Sequence, residues 1–328
     1  MRIAVAGLGA MGLWLAGRLL AAGQEVRCFA RGATLKALQT EGLHLTFEGE
    51  ATHYPVFATE DPAALGPVDL LLLTPKSQAL PALAAQLAPA ITPDTTVLPL
   101  CNGVPWWFLA GAPAPLQGQS LPGIDPEGRC AQAWPLDQVL GSVVHASAYV
   151  TAPGRGVHVM GKGLFLGPVV EAGAARLGPV AEVFEGAGLN VGRKTLAELR
   201  QEVWYKLWGN LTMNPLSALT GVTCDVLLAD PDLRRYASAI MDEAAALGAA
   251  LGCPITDSPE DRHDVTLALG AFKTSMLQDV EAGRPLELEA LLWTPQKLAK
   301  QLGLAVPMMD ALAGTLRVFE QGRGFGPA

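Results

Sequence analysis

Lys206, Asn210 and Asn214 recur every four residues in Val203-Trp204-Tyr205-Lys206-Leu207-Trp208-Gly209-Asn210-Leu211-Thr212-Met213-Asn214-Pro215. On a helix that spacing places one amine and two amides along a single face. An amine can give or take a proton, and amides can hold a polar ligand. The flanking faces carry Trp204, Leu207, Trp208, Leu211 and Met213, company in which polar groups are costly to bury without partners. The stripe is therefore either the solvent side of a helix or the wall of a polar cleft that binds ligand. Pro215 is expected to end the helix. A second polar cluster runs Lys273-Thr274-Ser275-Met276-Leu277-Gln278-Asp279 and continues through Gly283-Arg284-Pro285-Leu286-Glu287-Leu288-Glu289. Glu287 falls at the start of an apolar helix, where a carboxylate benefits from the helix dipole or simply caps the end.

A third group sits near the start of the chain. Gly7-Leu8-Gly9-Ala10-Met11-Gly12 is a G-x-G-x-x-G run. It follows a strand-like 2–7, opens a helix-like 10–22 and precedes a second strand at 25–30, which is the context a dinucleotide site needs. Gly7 permits the tight turn, Gly9 lets the backbone approach a pyrophosphate, and Gly12 allows close helix–strand packing. The helix N-terminus offers oriented N–H groups to phosphate. The second strand ends Cys28-Phe29-Ala30-Arg31, without the carboxylate that would hold the ribose 2′-hydroxyl of NAD. Arg31 suits a 2′-phosphate instead, with Lys36 one helical turn on, so the expected cofactor is NADP.

The elements around these residues give an α/β fold: an N-terminal Rossmann-type, mainly parallel sheet followed by an all-helical C-terminal domain. Further strands are expected at 69–74 and 96–100 with a helix at 77–88 between them. The stretches 139–150 and 157–166 read as a mixed extension of the sheet. Helical patterns follow at 195–219, 231–252, 259–282, 286–303 and 308–321. The boundary falls near Arg193, giving an NADP-binding domain at 1–193 and a helical substrate domain at 194–328, packed to form a cleft. Residues 105–135, rich in proline and glycine and holding Trp106, Trp107 and Trp134, look too irregular for the core; they read as a lid, a subunit contact or a packed surface excursion.

Composition narrows the partners. Half the residues are hydrophobic, 16% are charged and the net charge is -8, which argues against a nucleic-acid partner. The five cysteines, Cys28, Cys101, Cys130, Cys224 and Cys253, contain no C-x-x-C pair, so neither a zinc site nor a disulfide framework is expected, and a reducing compartment is. The apolar opening resembles a signal peptide, but glycines and Arg18 interrupt it. No stretch approaches the roughly 18–20 apolar residues of a membrane span, and a cytoplasmic location is expected.

Taken together, these residues resemble the ketopantoate reductases (2-dehydropantoate 2-reductases) over nearly the whole chain. The matching pieces are Gly7 to Gly12, Lys76, Cys101-Asn102-Gly103, Gly141 to His145, Lys206 through Asn214-Pro215, and Ser275 to Asp279 with Glu287. The resemblance implies NADPH-dependent reduction of 2-dehydropantoate to pantoate, with Lys206 as general acid and Glu287 holding the reacting hydroxyl and cofactor. It implies that Asn210, Asn214 and Ser275 bind substrate and that Asn102, Lys76 and Ser147 sit by the NADP. The expected partner is a small-molecule 2-keto acid; a homodimer is compatible with the sequence, which does not itself give the oligomeric state. The chain departs from the family pattern in places. Lys76-Ser77-Gln78 is short before its glutamine, Thr223-Cys224-Asp225 stands where an asparagine is frequent, and the positions after Glu287 read Glu289, Leu291 and Leu292-Trp293. These changes touch substrate contacts more than hydride transfer. Two other classes share features. A 3-hydroxyacid dehydrogenase has a similar glycine start and a lysine four residues before an asparagine, but its Pro-Val-Ser-Gly-Gly-like segment is missing here and Ser275 to Asp279 would go unexplained. A non-catalytic NADP sensor would keep the glycines and Arg31 but have no need of Lys206 and Glu287.

Overall fold

The computed structural model describes residues 1–324, and the chain divides into two compact units. The first comprises Met1–Cys101, Trp106–Gly111 and Asp125–Leu199, the second Asn102–Pro105, Ala112–Ile124 and the chain from Arg200 onward.

The first unit begins β1 (Arg2–Ala6), α1 (Ala10–Ala21), β2 (Glu25–Phe29), α2 (Gly32–Glu41), β3 (Leu43–Phe47), β4 (Glu50–Tyr54) and β5 (Phe57–Thr59). It continues through α3 (Pro62–Leu65), β6 (Leu70–Leu73), α4 (Leu80–Leu87), β7 (Thr96–Pro99), α5 (Arg129–Ala133), β8 (Leu140–Ala152), β9 (Arg155–Pro168), α6 (Leu177–Gly186) and β10 (Asn190–Arg193). One sheet has the order β5-β2-β1-β6-β7, and every pairing in it is parallel. Ile3, Ala4, Val5 and Ala6 are fully buried, as are Leu70 to Leu73. Continuous apolar runs of this kind are what strands covered on both faces require.

The stretch expected to extend this sheet forms a second one. The β8–β9 hairpin pairs with β10 and β3, and β3 with β4, in a mixed sheet. A single bridge, Val97 to Val139, leads from the parallel sheet toward it. The second sheet closes on α1 where that helix carries Gly17. A Cβ there would lie 2.7 Å from Leu45 Cδ2, so glycine lets the helix approach the sheet without displacing Leu45.

The segment 105–135, expected to be too irregular for the core, contributes to it. Trp106, Trp107, Phe108 and Trp134 are all buried, with the rings of Trp106 and Trp134 5.6 Å apart. Its irregular backbone carries core side chains, because aromatic bulk fills space without needing regular structure.

The second unit is helical, with α7 (Leu196–Thr220, its first turn still in the first unit), α8 (Cys224–Ala229), α9 (Pro231–Ala250), α10 (Pro259–Leu267), α11 (Ser275–Glu281), α12 (Thr294–Gln301) and α13 (Pro307–Arg323). Trp204 and Trp208 fasten α7 to α9 by donating to the carbonyls of Ala244 (3.2 Å) and Met241 (2.8 Å). Gly248 makes room for the first indole: a Cβ there would sit 2.2 Å from Trp204 Nε1. Three expectations are corrected. Helix α7 runs straight through Pro215 to Thr220, since the buried Leu211, Met213, Leu216 and Ala218 hold both sides of the proline in place. The helix expected over 259–282 is two helices, parted at Gly270 with φ +69° and restarted by the Thr274 cap. The last correction is a π-helical segment, Glu289–Trp293, leading into α12.

Candidate active site

In the first unit the glycine turn joins β1 to α1. Gly7 has φ +98°, and a Cβ on it would lie 2.5 Å from Pro75 N. A Cβ on Gly12 would come within 2.2 Å of Gly7 O and 2.6 Å of Thr74 Oγ1. Thr74, at the end of β6, locks the arrangement by donating to the carbonyls of Ala6 (3.0 Å) and Gly7 (2.5 Å). Gly9 differs from both, having nothing within 4 Å of its Cβ position. It is the N-cap of α1, no side chain bonds the helix end, and the first turn carries no acidic residue. Open space before uncapped N–H donors is what a phosphate requires. The turn therefore fits a pyrophosphate. Leu8 is buried in the core, so only its backbone can serve a ligand, while Ala10 and Met11 form the first helical turn.

Arg31 caps α2 just beyond β2. It is exposed, bonds the Gln86 side chain and lies 5.6 Å from the Phe29 ring centre. Lys76 follows β6 by three residues, partly buried, at the entrance to a single 3-10 turn. Ser147 lies in the β8–β9 hairpin, paired with Met160 between two register irregularities.

In the second unit, Lys206 projects from α7 and donates from Nζ to Asn102 Oδ1 at 3.0 Å. Asn102 is set by its neighbours. Gly103 has φ +83°, and a Cβ there would lie 2.6 Å from Ala290 O, while Val104 N donates to that same oxygen at 2.9 Å. The reason lies in the π segment. Thr294 N bonds back to Glu289 O, so the next donor along would belong to Pro295, which has none. Ala290 O is thereby left to receive the loop that carries Asn102. A π-turn at such a position is a frequent companion of function.

Burial, the largest influence, pulls the Lys206 amine down to about 8, and the Arg262 cation pushes the same way, while the Glu287 carboxylate opposes them. Arg262 comes from α10. Its guanidinium rests on the backbone of Gly209, where a Cβ would be 2.5 Å from Nη2. Asn210 is partly buried and Asn214 buried. Asn214 O accepts from Ser217 Oγ (3.2 Å), which also meets Thr274 Oγ1 (2.5 Å). Thr274 in turn caps α11 by accepting from Leu277 N, which leaves Ser275 exposed at the first helical position beside it.

Lys206 and Asn102 are thus hydrogen-bonded, with the charges of Glu287 and Arg262 acting on the amine, and the Ser217–Thr274 bond links the α7 stripe to the start of α11. Sequence reasoning missed Arg262, Ser217 and Pro295, and it reached Thr274 only as a member of the 273–279 cluster. Gly209, a glycine inside a helix three residues after a lysine, was the available signal for Arg262. Among the described residues no group of three or more His, Cys, Asp or Glu could hold a metal, and no helix is long and apolar enough to cross a membrane.

Comparison with known proteins bears on the whole chain. Residues 3–171 match the family model "Ketopantoate reductase PanE/ApbA", and residues 198–320 match its C-terminal counterpart. A 2-dehydropantoate 2-reductase of Mesorhizobium japonicum is 38% identical over 325 residues, covering 99% of both chains. The solved structure of a candidate ketopantoate reductase from Ralstonia solanacearum MolK2 superposes with TM-score 0.94 at 45% identity, covering 99% of each chain. A D-mandelate dehydrogenase solved with NADH and anilino(oxo)acetate shares the fold at TM-score 0.85 and 20% identity over 99% of this chain and all of its own. On the two family models and the relatives that span it end to end, this chain belongs to the ketopantoate reductase family of oxidoreductases.

Proposed function

We propose that the protein reduces 2-dehydropantoate to pantoate with NADPH, and that Lys206 is the general acid. The observation that carries the reading is the Lys206 ammonium bonded to Asn102, under the field of Glu287 and lowered to about 8. When bound, NADPH supplies the hydride that reduces the ketone carbon. Negative charge grows on the keto oxygen as that happens, and Lys206 gives it a proton. An acid whose affinity for the proton lies near working pH does this best. Asn102 aims the amine, and Glu287 keeps it charged until the proton is needed. Asn210, Asn214 and Ser275 are assigned to the substrate. A non-catalytic nucleotide binder would have no use for a desolvated lysine beside a carboxylate.

For the cofactor, Gly7, Gly9 and Gly12 would admit the pyrophosphate, and Arg31 the 2′-phosphate, with Lys76, Asn102 and Ser147 assigned beside it. Arg31→Ala should raise the KM for NADPH about 10–100-fold, the scale of a lost charge-assisted contact, and leave that for NADH almost unchanged. Steady-state kinetics with both cofactors decide it, and an equal effect on the two would remove Arg31 from the phosphate site. The reading as a whole is tested by following NADPH oxidation over a panel of 2-keto acids. The highest kcat/KM is expected with 2-dehydropantoate. Preference for another 2-keto acid would keep the chemistry and change the substrate, and turnover of none would defeat the proposal.

A further inference from the structure

Among the described residues Arg262 forms no ion pair within 4 Å. It is partly buried, and its Nε has no accessible surface and no hydrogen-bond partner. Cations withdrawn from water are stable only when something answers their charge. The Glu287 charge acts on Lys206, and the carboxylates nearest Arg262 in sequence make other contacts. Glu260 pairs with Arg234, Asp261 closes the capping box with Ser258, and Asp257 receives the Tyr205 hydroxyl at 2.7 Å. Among the described residues none forms an ion pair with Arg262. The guanidinium rests on Tyr205, 5.3 Å from Cζ to the ring centre, whose hydroxyl also meets Arg262 and Asp257, and on the bare backbone of Gly209.

Gly209 follows Lys206 by three residues, about 4.5 Å along the helix axis. A guanidinium seated there lies within about one helical turn of Lys206 along α7, and its charge acts on the ammonium. A 2-keto acid carries its two oxygen functions on adjacent carbons, an uncharged carbonyl and an anionic carboxylate. Two cations about one helical turn apart on α7, one able to lose its proton and one not, match that pair. The planar fork of arginine suits a carboxylate in particular.

We propose that Arg262 binds the substrate carboxylate and so orients the keto oxygen toward Lys206. This rests on reading the site as a 2-keto-acid reductase, and it adds a specificity residue to that reading. Gly209 belongs to the same device, because any side chain there would displace the guanidinium.

The test compares wild type, Arg262→Gln and Arg262→Lys. Binding of the 2-hydroxy acid product and of its carboxamide is measured by titration calorimetry, alongside KM and kcat for the keto acid and the affinity for NADPH. Wild type should prefer the acid to the amide by about 10–100-fold, the scale of a charge-assisted contact. Arg262→Gln should abolish most of that preference, raise the keto-acid KM by a similar factor and lower kcat as the keto oxygen loses its alignment, with NADPH affinity changed by less than about threefold. Arg262→Lys, which keeps the charge and loses the fork, should fall between. A glutamine variant that keeps both the acid preference and the KM of wild type overturns the proposal. Should that variant fail to fold, the wild-type comparison decides, since equal binding of acid and amide leaves Arg262 no carboxylate to hold. If wild type binds the acid yet reduces no 2-keto acid, the reductase reading fails separately from the anion site.

Discussion

Lys206→Met is expected to lower kcat by about 10²–10⁴-fold, the range of positioned acid catalysis, while the affinity for NADPH stays within about twofold. Methionine keeps the length and apolar stem of the lysine but cannot give a proton to the keto oxygen. Rapid-quench or steady-state rates at saturating substrate, with NADPH binding followed by fluorescence, separate the two quantities. Turnover within tenfold of wild type would remove Lys206 from the chemistry. The pH dependence follows from the lowered amine. Below about 8 the group is charged and can donate, so reduction should fall as pH rises through that value. Oxidation of the alcohol in the reverse direction needs the neutral amine and should rise through the same region. The shift also has a stability consequence of definite sign. A lysine whose folded-state affinity for the proton lies below the unfolded value of 10.5 destabilises the fold wherever it is charged in both states, that is, below about 8. The penalty is relieved as pH climbs from 8 toward 10.5. Lys206→Met should therefore melt at a higher temperature than wild type at pH 7, with the two curves converging at alkaline pH. A gain of stability on loss of activity is the expected behaviour of a strained active-site group.

Much of this arrangement was legible in the residues because it is local. The glycine turn declares itself through three glycines whose spacing matches a strand–turn–helix, and each meets the steric condition that spacing implies, with overlap at Gly7 and Gly12 and open space at Gly9. The face shared by Lys206, Asn210 and Asn214 follows from the helical period alone. The less visible parts depend on contacts distant in sequence. Asn102 reaches Lys206 because Pro295 withholds a donor from Ala290 O, a consequence of a π-turn that no apolar periodicity reveals. Arg262 lies 56 positions after Lys206, in what reads as an ordinary charged helix following a capping box. The second sheet was mistaken for an extension of the first, because strand patterns report burial on each face and not which neighbour pairs. The buried tryptophans at 106, 107 and 134 lie in backbone without any period, and side-chain bulk decided their place. Pro215 was misjudged for the complementary reason: propensity weighs against it locally, and the apolar packing along α7 outweighs that.

The glycine turn yields the other large effect, and two substitutions divide it. Gly12→Ala and Gly9→Ala each add one methyl group, yet they should fail differently. At Gly12 the methyl must occupy space 2.2 Å from Gly7 O and 2.6 Å from Thr74 Oγ1, both belonging to backbone and side chain tied by the Thr74 hydrogen bonds. Helix α1 has to move off β1, and overpacking of that kind costs about 1–3 kcal/mol. The melting temperature should drop by several degrees, and the NADPH dissociation constant should rise by about 100-fold or more as the turn and the helix N-terminus lose their alignment. At Gly9 nothing lies within 4 Å and the backbone sits at φ -79°, ψ -162°, which alanine adopts freely. The free protein should melt within about 2 °C of wild type, since alanine for glycine at an N-cap costs on the order of 1 kcal/mol, a small shift in a chain of this length. Its methyl would nonetheless fill the ground that a pyrophosphate needs in order to reach the helix donors, so NADPH should bind about 10–100-fold more weakly. Scanning calorimetry and fluorescence titration on the two variants give four numbers, of which stability and affinity should fall together at Gly12 and part company at Gly9. If Gly9→Ala bound NADPH as wild type does, the phosphates would lie away from the N-terminus of α1, and the open space before Gly9 would be a property of the turn with no bearing on the cofactor.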